Sequence, residues 1–363
     1  MSWLLAAPAL LALGFTLVAT AAVLLERARG PKPLHSWPPL LVLRPCEGDE
    51  PELAERLRST LQTAYPSEVR LVVGHGPALD RPAIEAAFVA SPPSTGNVNR
   101  KAWHLAHALD AAPPRVGELV LAIDADVQVT RALLEALATT ACSPGTVAAF
   151  APPVQHGRPG AARLADAALA GSPHAFLSLA ALAHLTGSTP PMVGCAIAVR
   201  SEALRAIGGF RAVLHAIGDD LALASLLSKQ GRVAMAWAVA DCRDAGQDAG
   251  SLVAQLSRWI RVATAHRPLL VWTYPMLIAP LPLATLSLVV TPWVFAALLA
   301  GRVVLSALQR TLLYGEVGKA LADPLLADAT WWAAMLGALG SRAVSWRGRR
   351  YRVHRGGAIE DAW

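Results

Sequence analysis

An uncharged apolar run from Trp3 to Leu25 constrains this chain more than any other feature of its sequence. As an α-helix the run measures about 34 Å, which is enough to span a hydrocarbon core of about 30 Å. A secretory signal peptide begins with a positive charge, but here the basic residues follow the run, at Arg27, Arg29 and Lys32. We therefore expect an uncleaved membrane anchor, with the residues after it in the cytoplasm by the positive-inside rule.

The composition indicates that the rest of the chain is not all membrane-embedded. Hydrophobic residues make up 54% of the chain and charged residues only 16%, against about 25% charged in a typical soluble domain. Such an apolar chain is not intrinsically disordered, because disordered chains are poor in apolar residues and rich in net charge. Long stretches still mix charges, prolines and glycines, so we expect a globular domain with membrane segments.

A second uncharged region runs from Pro268 to Gly301. It is longer than a single transmembrane helix needs and too short for two. Two arrangements remain open: an interfacial helix followed by one span, or a hairpin that extends past Arg302 to Leu308. A weaker apolar stretch, Leu325 to Leu339, follows.

The basic residues predict a membrane surface rather than a nucleic acid as partner. The net charge is +6, and six arginines lie between Arg342 and Arg355. Because this cluster follows apolar sequence, we interpret it as a tail beside anionic lipid. The predicted domains are therefore an anchor at 1–29, a cytoplasmic domain at 30–267, transmembrane or interfacial helices at 268–341, and a basic juxtamembrane tail at 342–363.

Strands and helices alternate along the predicted cytoplasmic domain. This order predicts an α/β fold with a mostly parallel sheet and helices on both faces. The continuous apolar run Leu119–Ile123 is typical of a strand buried on both faces. The other predicted strands are Leu40–Leu43, Val69–Val73 and Val147–Ala151, and the predicted helices include Pro51–Leu61, Asn99–Leu109, Arg131–Ala141 and Leu221–Gln230.

Asp124 and Asp126 directly follow the buried strand. In an extended chain, residues two apart point to the same side, and open α/β sheets bind ligands at the carboxyl ends of their strands. Mg²⁺ and Mn²⁺ prefer a few carboxylate oxygens together with substrate phosphates. The pair therefore predicts a site for a divalent metal and a diphosphate, the alternative being two solvated aspartates in a loop.

Two further groups of polar residues have both a functional and a structural interpretation. Asp219 and Asp220 precede a predicted helix, where carboxylates also serve as caps stabilised by the helix dipole. Gln255, Arg258 and Trp259 share one helix face by their spacing and could hold phosphate oxygens and line a sugar pocket. Pairing of Arg258 with a nearby acid is the structural alternative.

In this order, the three groups resemble the motifs of the processive-type family 2 glycosyltransferases. Within that group the chain is most similar to the family 21-like ceramide glucosyltransferases and the bacterial hopanoid biosynthesis-associated glycosyltransferases. The resemblance covers nearly the whole chain. Besides the N-terminal anchor, it includes Leu43-Arg44-Pro45, Asn99-Arg100-Lys101, Gly208-Gly209-Phe210 and the segment Trp346 to Tyr351.

The resemblance implies a GT-A fold, a nucleotide-sugar donor that is usually UDP-linked, a lipid hydroxyl acceptor, and a bacterial-type inner-membrane location. It places Asp124 near the donor and Asp126 on Mg²⁺ or Mn²⁺, and Lys101 is a further candidate for donor contact. Asp220 takes the place of the catalytic base, with Asp219 beside it.

The motif that closes on the diphosphate and acceptor is matched by Gln255, Arg258 and Trp259. Transfer would invert the anomeric centre, with general-base catalysis contributing about 10²–10⁴-fold. A polysaccharide synthase of the same family, or a non-catalytic nucleotide-sugar-binding membrane protein, are the alternatives.

One position departs from the family pattern. The family has an aspartate just after the second strand, where it binds the base of the donor nucleotide. This chain has His75-Gly76 there, and Asp80 follows a few residues later. Either Asp80 reaches in across a longer loop, or a nitrogen of neutral His75 accepts the N–H of the base, or His75 is a loop residue with no ligand role.

Overall fold

The structure is a computed structural model, which describes residues 2–28, 33–48, 50, 52–77, 79–94, 98–155, 178–183, 186–242, 248–268, 279–314, 321–340, 343–346 and 349–361. The chain forms two compact units, each assembled from separate stretches. The helical unit consists of residues 1–30, 154–188 and 246–350, and the sheet unit of residues 31–153, 189–245 and 351–363. The predictions for Arg29, Lys32 and Arg342 concern residues outside the described ranges.

The predicted strands and helices are present, with small differences at their ends. The strands are β1 Leu40–Cys46, β2 Val69–His75, β3 Ala87–Ala90, β4 Leu119–Ile123, β5 Val127–Gln128, β6 Thr146–Phe150, β7 Pro153–Gln155, β8 Ala196–Arg200, β9 Arg232–Met235, β10 Ala240–Cys242, β11 Ala343–Trp346, β12 Arg349–Val353 and β13 Ile359–Asp361. The helices are α1 Ser2–Ala28, α2 Leu53–Leu61, α3 Arg100–Ala111, α4 Arg131–Ala141, α5 Ser201–Ala206, α6 Asp219–Leu227, α7 Ala249–His266, α8 Leu281–Ala284, α9 Pro292–Tyr314 and α10 Asp323–Leu339.

A seven-stranded sheet in the order β3-β2-β1-β4-β8-β6-β9 organises the sheet unit. Strands β3, β2, β1 and β4 run parallel, and β6 runs parallel to β9. Within this sheet, β8 is the strand that runs antiparallel to both of its neighbours, β4 and β6. The prediction of a mostly parallel α/β sheet is confirmed, and the reversed strand is the feature that it did not anticipate.

Helices pack on both faces of this sheet. Leu57 of α2 and Leu137 of α4 share a core cluster with Leu40 and Leu121 on one face. On the other face α3 lies so close to β2 that a Cβ atom on Gly74 would be 2.4 Å from the carbonyl oxygen of His104. Every residue of β1 and of β4 is buried, which fixes the carboxyl ends of these strands rigidly.

Among its described residues, the helical unit has two helices that are long and apolar enough to cross a membrane. They are Leu4–Leu25, with mean hydropathy 2.2, and Pro292–Leu312, with mean hydropathy 1.5. Helix α9 extends past Arg302, and both of its arginines pair with aspartates of α10. Arg302 lies 2.7 Å from Asp328, and Arg310 pairs with Asp323.

Candidate active site

The Asp124-Ala125-Asp126 turn directly follows β4 at the carboxyl edge of the parallel strands. The backbone N–H of Asp124 donates to the carbonyl of Cys195 over 2.8 Å, and the N–H of Val127 donates to the carbonyl of Asp124 over 3.1 Å. Ala125 and Val127 are buried, whereas Asp124 and Asp126 are half-buried. The two carboxylates lie close enough for the charge of Asp124 to raise the pKa of Asp126.

Arg44 supports this turn from inside the protein. The side chain comes from β1 and is fully buried. Its guanidinium donates to the carbonyls of Ala125 and Val127 over 3.1 and 2.9 Å, and to Thr60 Oγ1 over 2.9 Å. No role for Arg44 was predicted from the sequence, although a charge inside the otherwise apolar strand Leu40–Cys46 was a signal for one.

Lys101 joins the two acidic motifs. Its ammonium nitrogen lies 2.7 Å from Asp124 Oδ1 and donates to the carbonyl of Gly194 over 2.7 Å. Burial by itself lowers the pKa of Lys101, but the charges of Asp124, Asp219 and Asp220 and the hydrogen bond to Asp124 outweigh it, so the pKa is raised. Lys101 is therefore a permanent positive charge among carboxylates.

Asn99 connects the start of α3 to the second acidic pair. Its Oδ1 caps α3 by accepting from the N–H of Ala102 over 3.2 Å. Its Nδ2 donates to Asp219 Oδ1 over 3.1 Å and to the carbonyl of Ala216 over 3.0 Å. Asn99 thus orients Asp219, a contact across 120 residues of sequence that no local pattern indicates.

Asp219 and Asp220 form the first turn of α6, after Gly218 in the left-handed conformation. Asp220 Oδ1 accepts from the N–H of Leu221 over 2.9 Å, so the carboxylate also has a capping contact. A Cβ atom on Gly194 would lie 3.2 Å from Asp220 Oδ2 and 3.0 Å from Lys101 Nζ. The absence of a side chain at Gly194 is what lets these two charged groups approach each other.

Two carboxyl groups in this cluster have raised pKa values. Burial, and then the charge of Asp219, raise the pKa of Asp220 to about 7, and Lys101 opposes the shift. Burial, and then the charge of Asp124, raise the pKa of Asp126 to about 6. Desolvated carboxyl groups with pKa values near neutrality are suited to accepting a proton.

The other predicted residues are far from this cluster in the sequence, and some of them belong to the helical unit. Gln255, Arg258 and Trp259 lie on α7 of the helical unit, and all three are half-buried. Trp259 packs against a core cluster that includes Leu256 and Trp331. Part of the Trp259 side chain therefore packs α7 against the rest of the helical unit.

At the end of β2, His75 is buried and Asp80 is exposed. His75 Nδ1 lies 2.6 Å from the carbonyl oxygen of Gly76, and its Nε2 has no hydrogen-bond partner among the described residues. The carboxylate beside Gly76 is instead that of Glu47, 3.6 Å from where a Cβ atom of Gly76 would be. Glu47, which pairs with Arg100, was not predicted from the sequence.

The residues present fit a divalent metal that arrives with a diphosphate. Within the described ranges, no group of three or more His, Cys, Asp or Glu residues is placed to hold a metal ion. Mg²⁺ is usually bound through one or two carboxylates together with substrate phosphates rather than in an all-protein cage. Asp124 and Asp126 supply that number of carboxylates.

A comparison with protein families identifies a match over nearly the whole chain. The family model described as Glycosyl transferase family 21 matches residues 2–359. No curated protein matches the chain.

Several solved glycosyltransferase structures are similar at low identity. The mannosyltransferase PcManGT from Pyrobaculum calidifontis, in complex with GDP-Man and Mn²⁺, is 17% identical with a TM-score of 0.45, over 92% of this chain and 99% of that chain. Glucosyl-3-phosphoglycerate synthase from Mycobacterium tuberculosis, in complex with Mn²⁺, UDP and phosphoglyceric acid, is 17% identical with a TM-score of 0.39, over 63% and 78%. S. aureus TarS 1–349 in complex with UDP-GlcNAc is 12% identical with a TM-score of 0.36, over 89% and 99%.

Proposed function

The chain belongs to glycosyl transferase family 21, and from that premise we propose a membrane-bound, inverting lipid glycosyltransferase. The mixed, mostly parallel α/β sheet is the GT-A-type fold expected of an enzyme that uses nucleotide sugars. The proposed reaction moves glucose or N-acetylglucosamine from a UDP-linked donor to the hydroxyl of a ceramide- or hopanoid-like lipid. One cluster carries the proposal: Lys101 forms an ion pair with Asp124, and the charges of Asp219 and Asp220 act on the same lysine.

Asp220 is the proposed general base. Its carboxylate would take the proton of the acceptor hydroxyl as the oxygen attacks the anomeric carbon from the face opposite the leaving diphosphate. A pKa of about 7 makes the group a stronger base than an ordinary aspartate while leaving it substantially ionised near neutral pH. Asp219, held by Asn99, raises the pKa of Asp220 through its own charge.

The donor is proposed to bind along the carboxyl edge of the sheet. Asp124 and Lys101 would contact the donor, and His75 or Asp80 would face its base. Asp126 would hold Mg²⁺ or Mn²⁺, and the metal would supply positive charge to stabilise the departing diphosphate. Lys101 adds a permanent positive charge close to the same carboxylates.

For the diphosphate and acceptor motif we assign Gln255, Arg258 and Trp259. The support is their position on α7, where the spacing of three and four residues keeps them on one helix face. Their half-burial leaves part of each side chain accessible. Arg258 would stabilise phosphate oxygens, and Trp259 would form an apolar wall.

The membrane is proposed as the second partner, on the basis of apolar exposure. Among the described residues, every exposed large hydrophobic side chain except Val116 belongs to the helical unit. Residues 1–29 and parts of 268–341 would anchor the protein in a bacterial-type inner membrane. Exposed arginines of the basic tail, 342–363, such as Arg352 and Arg355, would face anionic lipid, and residues 30–267 would act in the cytoplasm.

Purified protein in lipid nanodiscs tests the proposed function. The assay supplies UDP-glucose or UDP-N-acetylglucosamine with Mn²⁺, presents ceramide, a hopanoid or diacylglycerol, and detects the glycosylated lipid by mass spectrometry. We expect product with the wild type and with Asp110→Asn, an exposed acid in an ion pair with Arg211, but none with Asp220→Asn. Donor binding without any product would favour the non-catalytic alternative, and product from Asp220→Asn would remove Asp220 as the base.

A further inference from the structure

The segment that carries the proposed base is held on one side by a hairpin from much later in the chain. This 351–361 hairpin comprises the end of β12, a turn with two glycines, and β13. Tyr351 pairs with Asp361, and Val353 pairs with Ile359. Tyr351 is almost completely buried and Ile359 is buried too, so the hairpin is anchored in the sheet unit.

The hairpin contacts residues 215–217, which directly precede Gly218-Asp219-Asp220. The N–H of Ile217 donates to the carbonyl of Gly357 over 2.8 Å, and the N–H of Ile359 donates to the carbonyl of His215 over 3.2 Å. An antiparallel bridge between Ala216 and Ala358 lies between these bonds. The hairpin thus adds a short strand to this segment.

The same segment is also bound by Asn99, which comes from a different part of the chain than the hairpin. Its backbone N–H donates to the carbonyl of Leu214 over 2.7 Å, and its side chain donates to the carbonyl of Ala216. Asn99 also contacts Asp219, and Lys101 two residues later acts on Asp220. The segment is therefore clamped between the start of α3 and the hairpin.

We propose that the 351–361 hairpin positions Asp219 and Asp220 for catalysis by fixing residues 214–217 against Asn99. This inference rests on the proposed function. Gly218, with φ of 70°, is the joint between the clamped segment and α6. Without the hairpin, the joint would let the two aspartates move away from Lys101 and Gly194, and a displacement of about 1 Å in a catalytic group can cost about 10²-fold in rate.

The variant Ile359→Pro tests this contact specifically, because proline has no N–H to donate to the carbonyl of His215. Ile359→Val keeps that donor and most of the buried side chain, so it is the matched control. Gly357→Ala, which strains a turn residue with φ of 83°, is the milder second variant if the proline variant fails to fold. Each variant is measured for kcat and donor KM, and hydrogen–deuterium exchange is followed in peptides covering residues 214–221.

We expect Ile359→Pro to lower kcat about tenfold or more, with donor KM changed less than about twofold, and to increase exchange in residues 214–221. Ile359→Val should behave as the wild type. An unchanged kcat together with increased exchange would overturn the positioning role, and unchanged exchange would overturn the clamp itself. If the wild type transfers no sugar, the proposed function fails, while exchange still decides whether the hairpin holds the segment.

Discussion

Lys101 Nζ lies 2.7 Å from Asp124 Oδ1, so a lysine that precedes the central strand is paired with the first carboxylate that follows it. The same ammonium group donates to the carbonyl of Gly194, whose backbone also hydrogen-bonds to Asp220. One side chain therefore connects the donor end of the proposed site to its base. We therefore expect the proposed site to depend on the charge of Lys101 rather than on its size.

Replacing Lys101 with methionine should lower kcat/KM by about 10²-fold or more, because partly buried carboxylates lose the charge that compensates them. The loss should appear in both donor KM and kcat, since Lys101 contacts Asp124 and influences Asp220. Initial rates with varied donor measure it. Lys229→Met, at an exposed lysine, is the control; equal losses in the two variants would contradict the role of Lys101.

The pH dependence of kcat should follow the ionisation of Asp220. Its pKa is raised to about 7, and a general base must be deprotonated to act. We therefore expect kcat to rise as pH increases from 5 to 8, with half of the maximum near pH 7. Rates measured across that range, with stability checked at each pH, provide the test. A rate that is already maximal at pH 5 would remove Asp220 as the base.

Arg44→Lys should raise the Mn²⁺ concentration needed for half-maximal activity about tenfold. Lysine keeps the positive charge but lacks the planar fork that donates to the carbonyls of Ala125 and Val127 together. The turn that carries Asp126 would then be less well fixed. Metal titrations of activity measure the change, with Arg131→Lys at an exposed arginine as the comparison; identical titration curves would contradict this role.

Gly194→Ala should reduce kcat about tenfold or more. The new Cβ atom would lie 3.0–3.2 Å from Lys101 Nζ and Asp220 Oδ2, so the two charged groups must move apart. A thermal melt alongside the rate measurement separates this effect from misfolding. Gly14→Ala, where a Cβ atom meets nothing within 4 Å, is the matched substitution and should leave kcat as it is.

Replacing Asp328 alone should destabilise the helical unit more than replacing Asp328 and its ion-pair partner Arg302 together. Asp328→Ala leaves the largely buried Arg302 without its carboxylate, which in general costs about 3–5 kcal/mol. The double variant Arg302→Met, Asp328→Leu should recover most of that loss, because the uncompensated charge is gone. Thermal unfolding in detergent compares the three proteins, and a double variant as unstable as Asp328→Ala would contradict the argument.

The parts of the fold that depend on local pattern were predictable. Strand β4 was predicted to the residue, since a continuous apolar run between polar segments leaves few alternatives. Helix α4 was predicted equally well, and Thr130 caps its start. The direction of β8 was not predictable, because the apolar character of Ala196–Arg200 carries no information about strand direction. That direction is set by the pairing of β8 with β4 and β6.

The sequence by itself determined which chemistry is available: two pairs of aspartates, a lysine and an apolar anchor, in an order typical of glycosyltransferases. Only the tertiary structure decided how these groups are supported. Arg44 beneath the turn, Asn99 on Asp219, Gly194 between Lys101 and Asp220, and the 351–361 hairpin all act through contacts between residues far apart in the chain. Hydrophobic periodicity reports the local burial of a segment, whereas such contacts arise only when the sheet brings distant segments to the same edge.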